Sequence, residues 1–137
     1  MLDQVPIGWI EMLWEFHDKF EHYKSIDSIP RIPPEGIAEL RWKLIQEEAE
    51  ETVQAIKTSN MIEIADGLAD LLYVTIGCAI AYGIPIADVF REVHLSNMTK
   101  SMAKDEKSIK GKAIKGPNYL QPDIVRILQY HGWRDEE

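Results

Sequence analysis

The sequence has a single cysteine, Cys78, set inside an apolar stretch. That excludes an intramolecular disulfide framework and favours a cytoplasmic protein. Basic residues are also scarce, with 15 Lys and Arg against 23 Asp and Glu, a net charge of −8. A general nucleic-acid binder needs basic surface to neutralise phosphates, so that class is not expected. Apolar runs look too short to span a bilayer. The opening MLDQVPIGWIEML carries acids in place of a basic n-region and does not read as a signal peptide. Histidines number four, and none lies near the acidic runs described below. The Glu-x-x-His pattern of di-iron bundles is therefore missing, and transition-metal chemistry is disfavoured. No stretch reads convincingly as a β-strand.

What the chain does have fits one domain over residues 1–137, with 45% hydrophobic and 28% charged residues. Charge is unevenly spread: six of the fifteen basic residues (Lys100, Lys104, Lys107, Lys110, Lys112, Lys115) fall within 100–115, offset there only by Asp105 and Glu106. The apolar spacing predicts four main helices and a short fifth, an all-α bundle. Trp9, Leu13, Phe16 and Phe20 recur at helical spacing over about 7–23. Three prolines (Pro30, Pro33, Pro34) then impose a loop. A second helix runs from Glu35 to about Thr58, with Ile37, Leu40, Leu44, Ile45, Val53 and Ile56 as its apolar stripe. A third, capped by Asn60 or Ser59, runs to the stop signal Gly83-Ile84-Pro85 and is apolar on most sides, as a central helix is. Gly67 and Gly77 inside it suggest close approach by a neighbour. A fourth helix follows Pro85 to about Met102, a lysine-rich loop spans about 103–118, and the last helix covers roughly 122–131. Two such apolar helices on so short a chain suggest burial against a second subunit.

The chemistry lies in two acidic stripes. Residues three, four and seven apart share a helix face. Glu48 and Glu51 thus project together with Glu47 beside them, while Glu50 points elsewhere and is solvated. On the third helix Glu63, Asp66 and Asp70 form a second stripe among Ile64, Leu68, Leu71 and Leu72. The tight connection at 58–60 sets the two helices antiparallel, so the stripes can face each other. No basic residue lies between Thr58 and Arg91 to pair with the aspartates, and buried acids without a partner are costly. A hard divalent cation resolves the repulsion: Mg²⁺ takes oxygen ligands and bridges carboxylates to substrate phosphates.

Glu47-Glu48-x-x-Glu51 matches an EExxE motif, and "EFHDKF", "EIADGLADLLYV", "FREVHLSNMTK" and "KGPNYLQPDI" extend the likeness over most of the chain. In these segments it resembles the all-α, MazG-like nucleoside triphosphate pyrophosphohydrolases, in the branch labelled phosphoribosyl-ATP pyrophosphohydrolase-like. The resemblance implies Mg²⁺-dependent hydrolysis of the α–β phosphoanhydride of an NTP or dNTP, with Mn²⁺ as a substitute ion, in a homodimer or homotetramer. Phosphoribosyl-ATP hydrolysis in histidine synthesis is the related alternative. A non-enzymatic metal-binding or oligomerisation module is the alternative of another class. The resemblance departs at one place: the family's ExxD glutamate falls on Gly67, which cannot ligate. Either Asp66 substitutes, or Glu63-x-x-Asp66 works with Asp70 as an extra ligand. The proposed ligands are Glu48, Glu51, Asp66, Asp70 and Glu63, with Glu47 as general base. The resemblance also implies phosphate and sugar contacts from Asn97 and Lys100 on a late turn of helix four; in KGPNY, Lys115 could hold phosphate while Asn118 and Tyr119 approach the nucleotide, with a plain turn as the alternative. His17 reads as a structural histidine near a candidate base pocket, and Trp14 and Trp42 as core tryptophans. Cys78, with no activating neighbour, reads as core.

Overall fold

The computed structural model describes residues 7–102 and 111–135; residues 103–110 of the lysine-rich loop lie outside them. Within these limits the chain is all-α apart from one minimal hairpin. Its helices are α1 (Ile7–Lys19), α2 (Glu35–Lys57), α3 (Met61–Tyr82), α4 (Ile86–Asn97) and α5 (Ile124–Tyr130). The first ends four residues earlier than its apolar pattern predicts, because Glu21 turns into the left-handed region (φ 55°) and the His22 amide reaches back to the His17 carbonyl at 2.8 Å.

The connection from α1 to α2 is fastened to the far end of α3. The Ser25 amide donates to the Ile80 carbonyl (3.1 Å) and the Arg31 amide to the Tyr82 carbonyl (2.9 Å). Gly83 ends α3 with φ 68°, and a Cβ there would collide with the Ile29 carbonyl. Asn60 caps α3, its side chain accepting from the Glu63 amide at 3.1 Å. The tight turn at 58–60 folds α2 and α3 into the closest helix pair of the molecule.

That pairing is not made by the expected apolar stripe of α2. The buried residues of α2 are Arg41, Thr52 and Ala55, with Glu48 half-buried between them, whereas Leu40, Val53 and Ile56 are exposed. Close approach requires small or narrow groups. A Cβ on Gly67 would sit 2.7 Å from Thr52 Oγ1, and one on Gly77 would sit 2.9 Å from an Arg41 guanidinium nitrogen. Against the other side of α3, α1 lays Leu13 on Ile76 and Ile80, with Ile10 and Trp14 beside them.

With α1 and α2 as its main helical partners, α3 leaves Met61, Ile62, Leu68, Leu72 and Tyr73 exposed. The expectation that its aspartates are buried among leucines is corrected accordingly: Asp66 is exposed and Asp70 half-buried. Leu68 and Leu72 are about half exposed and Leu71 half-buried. A second correction concerns length, since α3 is long and apolar enough by composition to cross a membrane. Glu63, Asp66 and Asp70 on it, and the polar face of α2 packed along it, fit the central helix of a bundle better. Trp42 is exposed, with the Lys43 ammonium 5.7 Å from its ring centroid, so it is not the core residue expected.

Helix α4 also ends early, at Asn97, and leaves Lys100 beyond it. There the chain forms a two-residue strand, β1 (Ser101–Met102), paired antiparallel with β2 (Ala113–Ile114), where no strand is expected. α5 packs on α4 and is capped by Asp123.

Candidate active site

The tight turn and the Thr52–Gly67 contact set the acidic stripes of α2 and α3 side by side. A cavity of about 330 Å³ opens between them, lined by Glu51, Gln54, Ala55, Glu63, Asp66, Gly67 and Asp70. Glu48 lies just beyond, half-buried, with its Oε2 shielded from solvent and without a hydrogen-bond partner. Burial raises the Glu48 pKa above the usual carboxylate value, and repulsion from Asp70, Glu51, Glu47 and Asp66 raises it further. Glu47 is exposed at the flank, and Glu50 is exposed. Among the described residues, no ion pair engages any of the six candidate carboxylates.

As they stand, no three His, Cys, Asp or Glu side chains among the described residues are close enough together to hold a metal ion. The carboxylates border a shared space without converging on one point, a spread that like charges favour. Two features nevertheless suit a hard divalent cation. The donor set is all oxygen, and one carboxylate oxygen is buried without a partner. Nothing comparable suits a soft metal.

Gly67 stands at the centre of the α3 stripe. Thr52 is locked by its own bond, Oγ1 donating to the Glu48 carbonyl at 2.6 Å, so it cannot turn away from a side chain at position 67. A glutamate there would separate the helices. The acids that flank the glycine, at 63, 66 and 70, border the cavity in its stead.

Sequence reasoning missed Arg41. It is 4% exposed, lies on the same face of α2 as Glu48 and seven residues before it, and pairs with no carboxylate among the described residues. Two helical turns place it about 10 Å along the axis from Glu48. Its guanidinium donates to His22 Nδ1 at 3.2 Å. Arginine only donates, so His22 accepts there and carries its proton on Nε2. His17 is 1% exposed, donates from Nδ1 to the Tyr23 carbonyl (3.1 Å), and has its pKa lowered to about 4, chiefly by burial. It is a structural histidine, fully inside. The seven-residue spacing of Arg41 and Glu48 was the available signal. Cys78 is half-buried, and burial raises its thiol pKa, so it is not activated.

The remaining candidates gather elsewhere. Asn97 ends α4 and Lys100 follows it, while Lys115, Asn118 and Tyr119 lie on the returning segment after β2. The Lys115 ammonium sits 5.2 Å from the Tyr119 ring centroid. The hairpin and two side-chain bonds draw this segment back to α4, whose main helix contact is α5 and not the α2–α3 pair. The two groups of candidates thus lie on different element pairs of the chain.

A comparison with curated proteins finds no match. A family model described as phosphoribosyl-ATP pyrophosphohydrolase matches residues 13–97, more than half of the chain. The matched stretch runs from α1 through the end of α4 and holds all six carboxylates and Asn97. Lys100, Lys115, Asn118 and Tyr119 lie beyond it.

Proposed function

The chain belongs to the phosphoribosyl-ATP pyrophosphohydrolase family, and from that premise we propose a Mg²⁺-dependent nucleoside triphosphate pyrophosphohydrolase. It cleaves the α–β phosphoanhydride of an NTP or dNTP to the monophosphate and pyrophosphate. The observation that supports the metal dependence is Glu48, whose shielded oxygen has no hydrogen-bond partner and whose pKa is raised by burial and by the neighbouring carboxylates, a setting that suits a cation ligand. Glu48, Glu51, Asp66, Asp70 and Glu63 would hold Mg²⁺, or Mn²⁺ in its place. The bound ion would neutralise charge on the phosphates and acidify the attacking water. Glu47, exposed and free of the ligand set, takes that water's proton as oxygen adds to phosphorus and the bond to the bridging oxygen breaks. Asn97, Lys100, Lys115, Asn118 and Tyr119 hold the nucleotide and its phosphates. Because α4 has its main helix contact with α5 and not with the α2–α3 pair, a homodimer or homotetramer in which a neighbour supplies the α4–α5 end would complete the site. Cytoplasmic location is part of the same reading.

Hydrolysis of phosphoribosyl-ATP is the second reading, favoured by the family's own description. A panel of NTPs, dNTPs and phosphoribosyl-ATP, read as pyrophosphate released at millimolar Mg²⁺, decides between them. Turnover confined to nucleoside triphosphates is expected. Turnover of phosphoribosyl-ATP alone selects the second reading, and none at all refutes both. Glu47→Gln is expected to keep Mg²⁺ affinity and lose turnover by about a hundredfold or more; unchanged turnover removes its role.

A further inference from the structure

The end of α4 and the segment after β2 are joined at Leu120 by a device that none of the candidate contacts includes. Ser96 is buried, at 6% exposed, and its hydroxyl donates to the Leu120 carbonyl at 2.7 Å. Thr99 accepts from the Leu120 amide at 2.8 Å, while its own hydroxyl donates to the Ser96 carbonyl at 2.6 Å. Two hydroxyls one turn apart thus satisfy both backbone groups of one residue 21 to 24 positions away. Further along, Gly116 packs so closely on Ser101 that a Cβ would overlap its hydroxyl.

This closure fixes the spacing of two basic residues at the open end of the hairpin. Strand register pairs Ser101 with Ile114 and Met102 with Ala113. Continued one step past the last paired residues, the register places the Lys100 and Lys115 backbones across from each other, with the Lys115 ammonium over the Tyr119 ring, and like charges at such positions repel. Among the described residues neither lysine pairs with a carboxylate. Asn97 lies one residue from Ser96, and Asn118 and Tyr119 precede Leu120, so the same two hydroxyls tie the backbone that carries these candidate residues together.

We propose that Ser96 and Thr99 are positioning residues, whose paired bonds to Leu120 hold Lys100 and Lys115 opposed as a preassembled oxyanion site for a polyphosphate chain. The inference rests on the reading of this segment as the one that grips the substrate's phosphates. It assigns to Ser96 and Thr99 no contact with substrate. An oxyanion bound by both ammonium groups would offset the repulsion between them, and the hydroxyls set the backbone spacing of the two lysines beforehand.

The test is titration of inorganic tripolyphosphate into the full chain in EDTA, which removes any contribution from divalent ions. The wild type binds. Ser96→Ala and Thr99→Val bind about tenfold more weakly or worse, as loss of one or two hydrogen bonds implies, and Thr99→Ser, which keeps the hydroxyl, stays within about twofold. On the best triphosphate of the substrate panel the same two variants raise KM about tenfold and change kcat less than about threefold. A purely structural role would move melting temperature and leave Thr99→Val and Thr99→Ser alike in affinity once folded, which overturns the proposal. Wild-type failure to bind tripolyphosphate overturns it as well. The expected binding pattern with no hydrolysis of any nucleotide refutes the enzymatic reading and leaves the positioning role standing.

Discussion

Single residues carry most of the electrostatic account. Glu48 and His17 are both pushed toward their neutral forms, one by burial and neighbouring carboxylates, the other chiefly by burial. The sequence made Glu48 legible through its spacing to Glu51. Arg41 was marked only by its seven-residue spacing to Glu48, and a lone arginine on a charged helix reads as solvated until its burial is known. Apolar neighbours in sequence did not bury Asp66, since sequence neighbours on a helix point in other directions. His17 supplies a pH prediction. Its folded pKa of about 4 lies below the unfolded 6.5, so its neutral form favours folding. That contribution is fully present above pH 6.5 and is lost as pH falls toward 4, worth roughly 3 kcal/mol across the window. Denaturant unfolding of wild type and His17→Gln at pH 7 and pH 4 should show the wild type losing more by about that amount. Parallel losses would show that His17 does not set this slope.

At the level of elements, the α2–α3 pair is where pattern and structure diverge most usefully. Helix number, order and most ends were legible: Asn60 as cap and Gly83 as stop stand where their chemistry requires. The two-residue strands were not, because they depend on clasping hydroxyls and a glycine far apart in sequence. The apolar stripe of α2 does not make the contact with α3: Leu40, Val53 and Ile56 are exposed, and the pairing uses the narrow groups Thr52 and Ala55. Gly67 is the clearest instance. A Cβ would meet Thr52 Oγ1 at 2.7 Å, with the Thr52 Cα and Cβ at 3.3 Å. Gly67→Ala should destabilise the chain by about 1–3 kcal/mol, as overpacking does, and Gly67→Glu by more, without improving metal affinity. Thermal unfolding checks both. A Gly67→Glu chain that folds normally and binds Mg²⁺ more tightly would show that the glycine merely replaces a ligand.

As a whole, the described chain buries few apolar side chains: Leu13, Ala55, Ile76, Ala79, Ile80, Ala81 and Ile127. Large groups such as Trp9, Met12, Leu68, Leu72 and Tyr73 stay exposed, several around an apolar groove of about 260 Å³ between α1 and α3. Contiguous exposed apolar surface on this scale marks an interaction site. Sedimentation at micromolar concentration should therefore give a homodimer or homotetramer, whereas a well-folded monomer would leave the α4–α5 residues without a route to the acids. The family's description makes the chain a hydrolase of phosphoanhydrides, and the central claim beyond that is that the acids of α2 and α3 together bind a divalent cation. Calorimetric titration of Mg²⁺ with a non-hydrolysable dNTP into wild type and Glu48→Gln tests it most directly. Saturable, nucleotide-assisted Mg²⁺ binding by the wild type, weakened at least about tenfold in Glu48→Gln, is the predicted result. Equal binding by both, or none by the wild type at millimolar Mg²⁺, would contradict it.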